Sequence, residues 1–315
     1  MRDKILHLLN SSDFVSGEKL AENLNVSRTS IWKQIKILKE LGYKIESVKN
    51  KGYKLISRPS TPIVEEVTFR LDTKIIGKEV HYFKSLPSTN VFGKKLIKDG
   101  SPEGTVVIAD VQTSGRGRKH RRWLSPEGGL WFSVILYPHI PPHYGMLVTM
   151  VSSVSIVQGI NNVTGISPII KWPNDLLLNG KKVCGILTEL DAEIDRINYT
   201  IVGIGINVNN SIDEKLQKTA ISLIQKSKYK ISRVELLRSI LKCMDENYRK
   251  FISGNFGDIR KLWFSYSNVV GKWIRVRGEN TVIEGIVTDI DESGCLILDT
   301  MDGITRIVSG DVEYL

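Results

Sequence analysis

Residues 112–133 read QTSGRGRKHRRWLSPEGGLWFS and contain a basic loop followed by an apolar, strand-like run. The basic loop, residues 112–123, carries five cations and no acid, and Gly115 and Gly117 alternate with its first arginines. Glycine lets backbone N–H groups approach an anion, while arginine offers forked, permanently charged donors. The loop therefore predicts a site for an anionic ligand, with a solvated basic loop as the alternative. No Gly-Lys-Ser/Thr ending follows, which excludes a Walker phosphate-binding loop.

The positive charge of the chain is concentrated in two segments. Of the 44 Lys and Arg in 315 residues, 12 lie in residues 1–60 against 6 Asp and Glu, and 5 lie in the basic loop against none. The rest of the chain holds 27 cations and 28 acids, so the net charge of +10 comes from these two segments. Two local concentrations predict two anion-binding sites rather than a generally basic surface.

Cysteine usage and hydropathy indicate the compartment. Cys184, Cys243 and Cys295 are scattered, odd in number and outside any CxxC pair, which argues against a disulfide framework or a structural zinc site. We find no signal-peptide pattern and no apolar run near the ~18 residues that a membrane helix needs. The prediction is a soluble cytoplasmic protein.

Residues 1–60 have the pattern of a winged helix-turn-helix DNA-binding domain. Ser16 and Ser27 are placed to cap the second and third of three helices, and two strand-like runs flank the turn at residues 49–52. A helical protein-binding module is the alternative. The predicted DNA contacts, which suit base edges and phosphates, are Gly17, Ser27, Arg28, Thr29, Ser30, Lys33, Gln34 and Lys36.

Residues 65–267 alternate strand-like and helix-like runs, which predicts an α+β domain with a central mixed sheet and interspersed helices. Residues 144–164 are apolar enough for a long buried helix, and Asn179-Gly180 predicts a hairpin turn. After residue 271, short apolar runs separated by turn residues predict a small β-barrel. The predicted domains are 1–60, 65–267 and 268–315, with residues 58–62 as a linker.

Three motifs occur in a fixed order: GRGRKHRRW at Gly115–Trp123, KWPND at Lys171–Asp175 and GIGINVN at Gly203–Asn209. Together they resemble the signature of biotin protein ligases, and with the N-terminal domain the chain is similar to the bifunctional subclass that also represses biotin genes. His120 stands where the family loop has glycine, and Arg122 stands where lysine is common. Both departures keep the loop basic.

The resemblance implies an SH3-like C-terminal barrel and a two-step reaction. Biotin and ATP give biotinyl-5'-AMP, and the biotinyl group passes to a lysine of a biotin carboxyl carrier protein. The adenylate-bound homodimer represses transcription at an operator with an inverted repeat. Biotin, ATP and Mg²⁺ are the implied ligands. The candidate dimer surfaces are the loop at 115–123 and an open edge of the strand at 196–207.

Site residues are carried over from the same resemblance. Lys182 and Arg118 are the catalytic candidates, although Lys182 without the family would be taken for an exposed hairpin lysine. The biotin candidates are Ser88, Thr89, Asn90, Gln112, Arg116, Gly117, Arg118, Lys182, Gly203 and Gly205. The ATP or adenylate candidates are Arg118, Arg121, Trp123, Lys171, Asn174 and Asn207, and Asp175 is the candidate Mg²⁺ ligand.

Two other functions remain open. The central domain could sense a small ligand for a transcription regulator without ligase activity, or the chain could be a lipoate-type ligase, which shares the central architecture. KWPND together with GRGRxxRxW favours biotin over lipoate.

Overall fold

The computed structural model describes residues 1–10, 13–278 and 281–315, which form two compact units, Met1–Arg70 and Leu71–Leu315. The first unit is the predicted helix-turn-helix with a two-stranded antiparallel wing. Ser16 and Ser27 cap the second and third helices by accepting from backbone N–H groups at 3.1 Å. The elements of this unit are α1 (Arg2–Leu8), α2 (Gly17–Leu24), α3 (Arg28–Glu40), β1 (Lys44–Val48), β2 (Gly52–Ser57) and α4 (Val64–Thr68).

Helix α4 was not predicted, and it lies beyond the expected end of the first domain. Its Glu66 is buried and accepts hydrogen bonds from Tyr43 at 2.6 Å and from Arg58 at 2.7 Å, while Glu65 pairs with Arg2 at 2.7 Å. These partners come from distant parts of the unit, so the short sequence of α4 gives no sign of them. The predicted boundaries at residues 60, 65 and 268 stay predictions.

A seven-stranded mixed sheet forms the centre of the second unit, as predicted. Its order is β3-β4-β5-β9-β8-β7-β6, in which β3 and β4 run parallel and the other neighbours run antiparallel. The strands are β3 (Val80–Leu86), β4 (Val106–Gln112), β5 (Leu130–Leu136), β6 (Ile169–Lys171), β7 (Asp175–Leu178), β8 (Lys181–Ala192) and β9 (Ile197–Ile206). The expectation that β9 has an open edge was wrong, because β5 and β8 pair with its two sides.

Helices cover the sheet, and the most apolar of them is the predicted buried helix. By length and composition alone, residues 142–164 could cross a membrane, so the expectation that no such run exists was wrong. However, 72% of the most apolar window is buried inside the protein, and the core helix of a globular domain passes the same test. The helices of this unit are α5 (Thr89–Lys98), α6 (Gly145–Thr164), α7 (Leu223–Ser227), α8 (Arg233–Ile252) and α9 (Phe256–Ser265).

The C-terminal part of the second unit is a five-stranded antiparallel sheet of order β13-β12-β11-β10-β14. It is compatible with the expected SH3-like fold, although its outer strands do not pair with each other within the described residues. The last strand was not predicted, because DVEY is short and mostly polar. The strands are β10 (Trp273–Arg277), β11 (Val282–Ile290), β12 (Leu296–Thr300), β13 (Gly303–Ile307) and β14 (Asp311–Tyr314).

Candidate functional site

A cavity of about 830 Å³ joins the basic loop to the middle of the central sheet. Its walls come from the basic loop, the start of α5, strands β8 and β9, residues 210–220 and Asp311 of the C-terminal sheet. Most of the predicted ligand-binding residues meet here. Lys171 is the exception: it is not among the described residues that line the cavity, and its Nζ lies 5.4 Å from the ring centroid of Tyr314.

The basic loop folds back on itself as a short hairpin. The N–H of Gly117 donates to the carbonyl of Arg121 at 2.7 Å, and the N–H of Trp123 donates to that of Gly115 at 2.9 Å. At the tip, Lys119 and His120 adopt left-handed backbone conformations, with φ of 52° and 59°. The family glycine that His120 replaces would adopt this conformation without strain, so the sequence departure falls on the residue where the turn reverses.

Acceptors from two distant segments hold the cations of the loop. Arg118 donates to Asn174 Oδ1 at 3.0 Å and to the carbonyl of Gly310 at 3.4 Å. Lys119 and Arg121 both pair with the carboxylate of Asp311. Burial raises the pKa of Asp311, but these two cations outweigh it and hold that pKa below its ordinary value. Asp311 was missed by the sequence analysis, since nothing in DVEY marks an acid 190 residues from Arg121 as its partner.

The predicted catalytic lysine and the predicted magnesium ligand form an ion pair. Lys182 Nζ lies 2.7 Å from Asp175 Oδ1 and 5.0 Å from the ring centroid of Trp123. Burial lowers the pKa of Arg118 nearby, while the charges of Asp311 and Asp175 act in the opposite direction. No group of three or more His, Cys, Asp or Glu able to hold a metal ion occurs in the part of the chain that the structure describes.

The indole of Trp123 packs against glycines of strands β8 and β9. A Cβ atom on Gly205 would stand 2.4 Å from Trp123 Nε1, and one on Gly185 would stand 3.0 Å from the same indole. These two glycines face each other in the β8–β9 register. The space beside Gly205, one of the biotin candidates, is therefore filled here by the protein's own indole. The buried Nε1 of this indole has no hydrogen-bond acceptor among the described residues.

Uncharged polar groups also line the cavity. Ser88, Thr89 and Asn90 are buried at the start of α5. Thr89 N–H donates to Gln112 Oε1, and Gln112 Nε2 donates to Ser125 Oγ, both at 2.9 Å. Asn207 also lines the cavity and accepts from the side chain of a neighbouring asparagine at 3.1 Å. Gly203 contributes by its lack of a side chain, because a Cβ there would stand 2.2 Å from Asn90 Oδ1.

The predicted DNA-contacting surface belongs to the first unit. The exposed members are Ser27, Arg28, Thr29, Lys33 and Lys36, whereas Gly17, Ser30 and Gln34 are half-buried. Trp32 is 56% exposed on the same helix and was not among the predicted contacts. A large exposed aromatic residue between cations in α3 is a signal that the sequence analysis could have used.

Comparison with known proteins covers all three parts of the chain. Residues 2–54 match the family model described as "HTH domain", residues 82–207 match the "Biotin/lipoate A/B protein ligase family", and residues 269–314 match the "Biotin protein ligase C terminal domain".

Individual relatives agree with these family matches. The bifunctional ligase/repressor BirA of Bacillus spizizenii is 43% identical over 96% of this chain and 94% of its own length. That of Bacillus subtilis is 42% identical over 99% and 98%. The solved biotin protein ligase from Aquifex aeolicus in complex with biotin and ATP aligns with 76% of this chain and 99% of its own, at 33% identity and a TM-score of 0.66.

Proposed function

The chain belongs to the family of bifunctional biotin ligase/repressors, and on that premise we propose that it biotinylates a carrier protein and represses biotin genes. The observation that carries the ligase function is the convergence of loop cations, Lys182 and an uncharged polar floor on one cavity. This combination suits a ligand pair with a carboxylate, a triphosphate and a neutral urea ring.

The first reaction joins two anions. An oxygen of the biotin carboxylate attacks the α-phosphorus of ATP, the bond to the β-phosphate oxygen breaks, and pyrophosphate leaves. Bringing carboxylate and triphosphate together costs Coulomb repulsion, which fixed cations reduce both in binding and in the transition state. In the second reaction, a lysine amine of the carrier attacks the acyl carbon, AMP leaves, and the amide forms with loss of a proton.

Each cation must exchange its present partner for a substrate group. Lys182 releases Asp175 and holds the biotin carboxylate, later the acyl oxygen. Arg121 and Lys119 release Asp311, and Arg121 with Arg118 holds the phosphates. Arg116 lies on the biotin carboxylate side of the loop. Trp123 leaves the glycines of β8 and β9, which opens room for biotin, and its face then stacks on adenine.

Mg²⁺ fits the site as an ion carried by the phosphates. Such an ion keeps several waters and needs only one or two protein carboxylates, and Asp175 offers one at the cavity wall. Bound there, Mg²⁺ would neutralise phosphate charge. Asn174, Lys171 and Asn207 are proposed to stand around the same phosphates.

The repressor function rests on the first unit. We place the exposed cations of α3 in the major groove and the wing beside the phosphate backbone. A single helix-turn-helix makes few contacts, so we propose a homodimer on an inverted repeat, formed through the basic loop once the adenylate has ordered it. By linkage, operator DNA then favours the adenylate-bound dimer. The proposed compartment is the cytoplasm.

A transfer assay tests the ligase function. The chain is incubated with ATP, Mg²⁺, a biotin carrier domain and either biotin or lipoate, and the carrier is analysed by mass spectrometry. We expect biotin on one carrier lysine, and no transfer to a carrier in which arginine replaces that lysine. Transfer of lipoate in preference to biotin would favour the lipoate-type ligase, and no transfer of either would favour a ligand-sensing regulator.

A further inference from the structure

The side chain of Asn90 is committed to the protein rather than free for a ligand. It is 3% exposed. Its Nδ2 donates to Glu189 Oε2 at 2.7 Å and to the carbonyl of Leu187 at 3.3 Å, and its Oδ1 lies 2.6 Å from the hydroxyl of Ser133. Both ends of the amide are therefore engaged inside the wall of the cavity.

The charge of Glu189 fixes which way this amide points. A carboxylate and a carbonyl can only accept, so the NH₂ end of Asn90 must face Glu189 and Leu187. The other oxygen of Glu189 accepts from Lys94 at 2.7 Å. Burial raises the pKa of Glu189, but the hydrogen bonds from Lys94 and Asn90 outweigh it and keep that pKa below its ordinary value. Glu189 is thus ionised at neutral pH and acts as an acceptor at both oxygens.

The fixed amide in turn sets the hydroxyl hydrogens of Ser133 and Thr89. Ser133 Oγ lies 2.6 Å from both Asn90 Oδ1 and Thr89 Oγ1. Because Asn90 Oδ1 can only accept, Ser133 gives it its single hydrogen. Thr89 has two possible acceptors for its own hydrogen: Ser133 Oγ at 2.6 Å, and Gln112 Oε1 at 3.2 Å, which already accepts from the N–H of Thr89. Ser133 is favoured, since two lone pairs would repel at the shorter distance. Thr89 lines the cavity, and with either acceptor its hydroxyl has only lone pairs left for a ligand.

We propose that Glu189 and Asn90 are positioning residues that fix the direction of this hydrogen-bond chain, so that Thr89 Oγ1 meets the ligand as an acceptor. An acceptor at this point selects a ring N–H and disfavours a ring oxygen. The protein would thereby distinguish a cyclic urea from a cyclic carbamate of the same shape. This inference rests on the proposed function, because it assumes that the urea ring of biotin lies against Thr89.

Two substitutions disturb the direction of the chain without changing its shape. In Glu189→Gln, one side-chain oxygen replaces two, and the ammonium of Lys94 competes for it with Asn90. The glutamine NH₂ then faces Asn90, and only the longer contact with the Leu187 carbonyl, at 3.3 Å, opposes reversal of the Asn90 amide. In the reversed arrangement Ser133 donates to Thr89, and the Thr89 hydrogen becomes free for other acceptors. In Ser133→Ala, the link is removed, and the Thr89 hydrogen is free for the ligand or for Gln112 Oε1 at 3.2 Å.

The matched control removes the competitor. In Glu189→Gln with Lys94→Met, the glutamine oxygen can turn to Asn90, and the original direction returns. The Lys94 side chain is 40% exposed, so its replacement disturbs little packing. Lys94→Met alone raises the pKa of Glu189, because the hydrogen bond from Lys94 is lost. The carboxylate still accepts from Asn90, so the affinity ratio should stay at the wild-type value at neutral pH.

The test compares the Kd of biotin with those of the two cyclic carbamate isomers, in each of which an oxygen replaces one ring N–H, by calorimetry. For one isomer, the wild-type chain should bind biotin more tightly by on the order of tenfold or more. Glu189→Gln and Ser133→Ala should reduce that ratio severalfold, and the double variant should restore it. The affinity for ATP should be the same in every variant, whereas a general loss of structure would lower it.

The outcomes separate this inference from the proposed function. If the wild-type chain binds no biotin, the proposed function fails and this inference fails with it. If the wild-type protein binds biotin but its affinity ratio is unchanged in Glu189→Gln and Ser133→Ala, only the inference about the direction of the hydrogen bonds is refuted. Equal weakening of biotin and both carbamates, without rescue in the double variant, would also refute it, because a purely structural role predicts that pattern.

Discussion

Lys182→Ala should weaken biotin binding while leaving the fold intact. In the structure, Lys182 pairs with Asp175 at 2.7 Å, and the two side chains are 31% and 25% exposed. Because solvent screens a pair this exposed, its loss should cost less than about 1 kcal/mol of unfolding free energy. In the complex, the same ammonium holds the biotin carboxylate, and a charge-assisted hydrogen bond contributes ~1.5–3 kcal/mol. The expected loss is therefore about 10–150-fold in Kd.

Asp175→Asn should act in the opposite direction in the absence of ATP. The wild-type chain must break the Lys182–Asp175 pair before Lys182 can hold biotin, whereas the variant has no such pair to break. Biotin alone should then bind more tightly, by a few-fold. Adenylation should nevertheless slow down, because Asp175 is the proposed Mg²⁺ ligand.

Isothermal titration calorimetry of biotin into each variant measures both effects, and urea unfolding checks stability. Lys181→Ala is the matched control: its Nζ donates to the carbonyl of Gln217 at 2.7 Å and does not line the cavity among the described residues. A wild-type Kd in Lys182→Ala would remove Lys182 from the biotin site. A loss of equal size in Lys181→Ala would show that the effect comes from general charge.

Three further predictions concern other parts of the chain. The buried carboxylate of Asp245 accepts from three backbone N–H groups at residues 74–76, at 2.7–3.1 Å; Asp245→Asn should cost about 1–3 kcal/mol of unfolding free energy at neutral pH. Burial raises the pKa of Asp245, but these bonds outweigh it and hold that pKa below its ordinary value. The cost of the substitution, measured by urea unfolding, should therefore be full above about pH 4 and should fade as the pH drops through the lowered pKa. A cost independent of pH would contradict this. The ion pairs that hold the loop hairpin to Asp311 are exposed to solvent and therefore weak, so a protease should cut residues 116–122 in the free chain. Biotin with ATP should protect them, because ligand phosphates hold the loop more firmly; equal cutting in both states would contradict this. Arg28→Ala with Lys33→Ala should weaken operator binding, measured by fluorescence anisotropy at moderate salt, without changing biotin transfer; unchanged operator affinity would mean that α3 does not face the DNA.

The parts of the fold that depend on neighbours in sequence were predictable. Ser16 and Ser27 were identified as helix caps because a cap needs only a hydroxyl and an N–H three residues later. The strands of the central sheet were visible as apolar runs bounded by turn residues. Strand β14 and helix α4 were missed, because both are short and are stabilised by contacts with residues that are distant in sequence.

The candidate site was predictable in its members but not in its contacts. The motifs contain Asp175 and Trp123, and the family resemblance supplies Lys182, yet only the structure shows Lys182 paired with Asp175 and the indole packed against Gly205. Lys171 belongs to a motif but does not line the cavity among the described residues. Glu189 carries no motif, and its importance comes from the amide that it orients.

The ties between the basic loop and Asp311 have a consequence for the order in which the site is made. Gly310, which accepts from Arg118, follows it by 192 residues. A ribosome therefore releases the cations of the loop long before it adds the acid that pairs with two of them. Until β14 has been translated and has joined its sheet, the loop is an uncompensated cluster of positive charge, open to any passing polyanion. Completion of the C-terminal sheet thus lowers the net positive charge of the loop by one and ties the tip of the loop to the last strand of the chain.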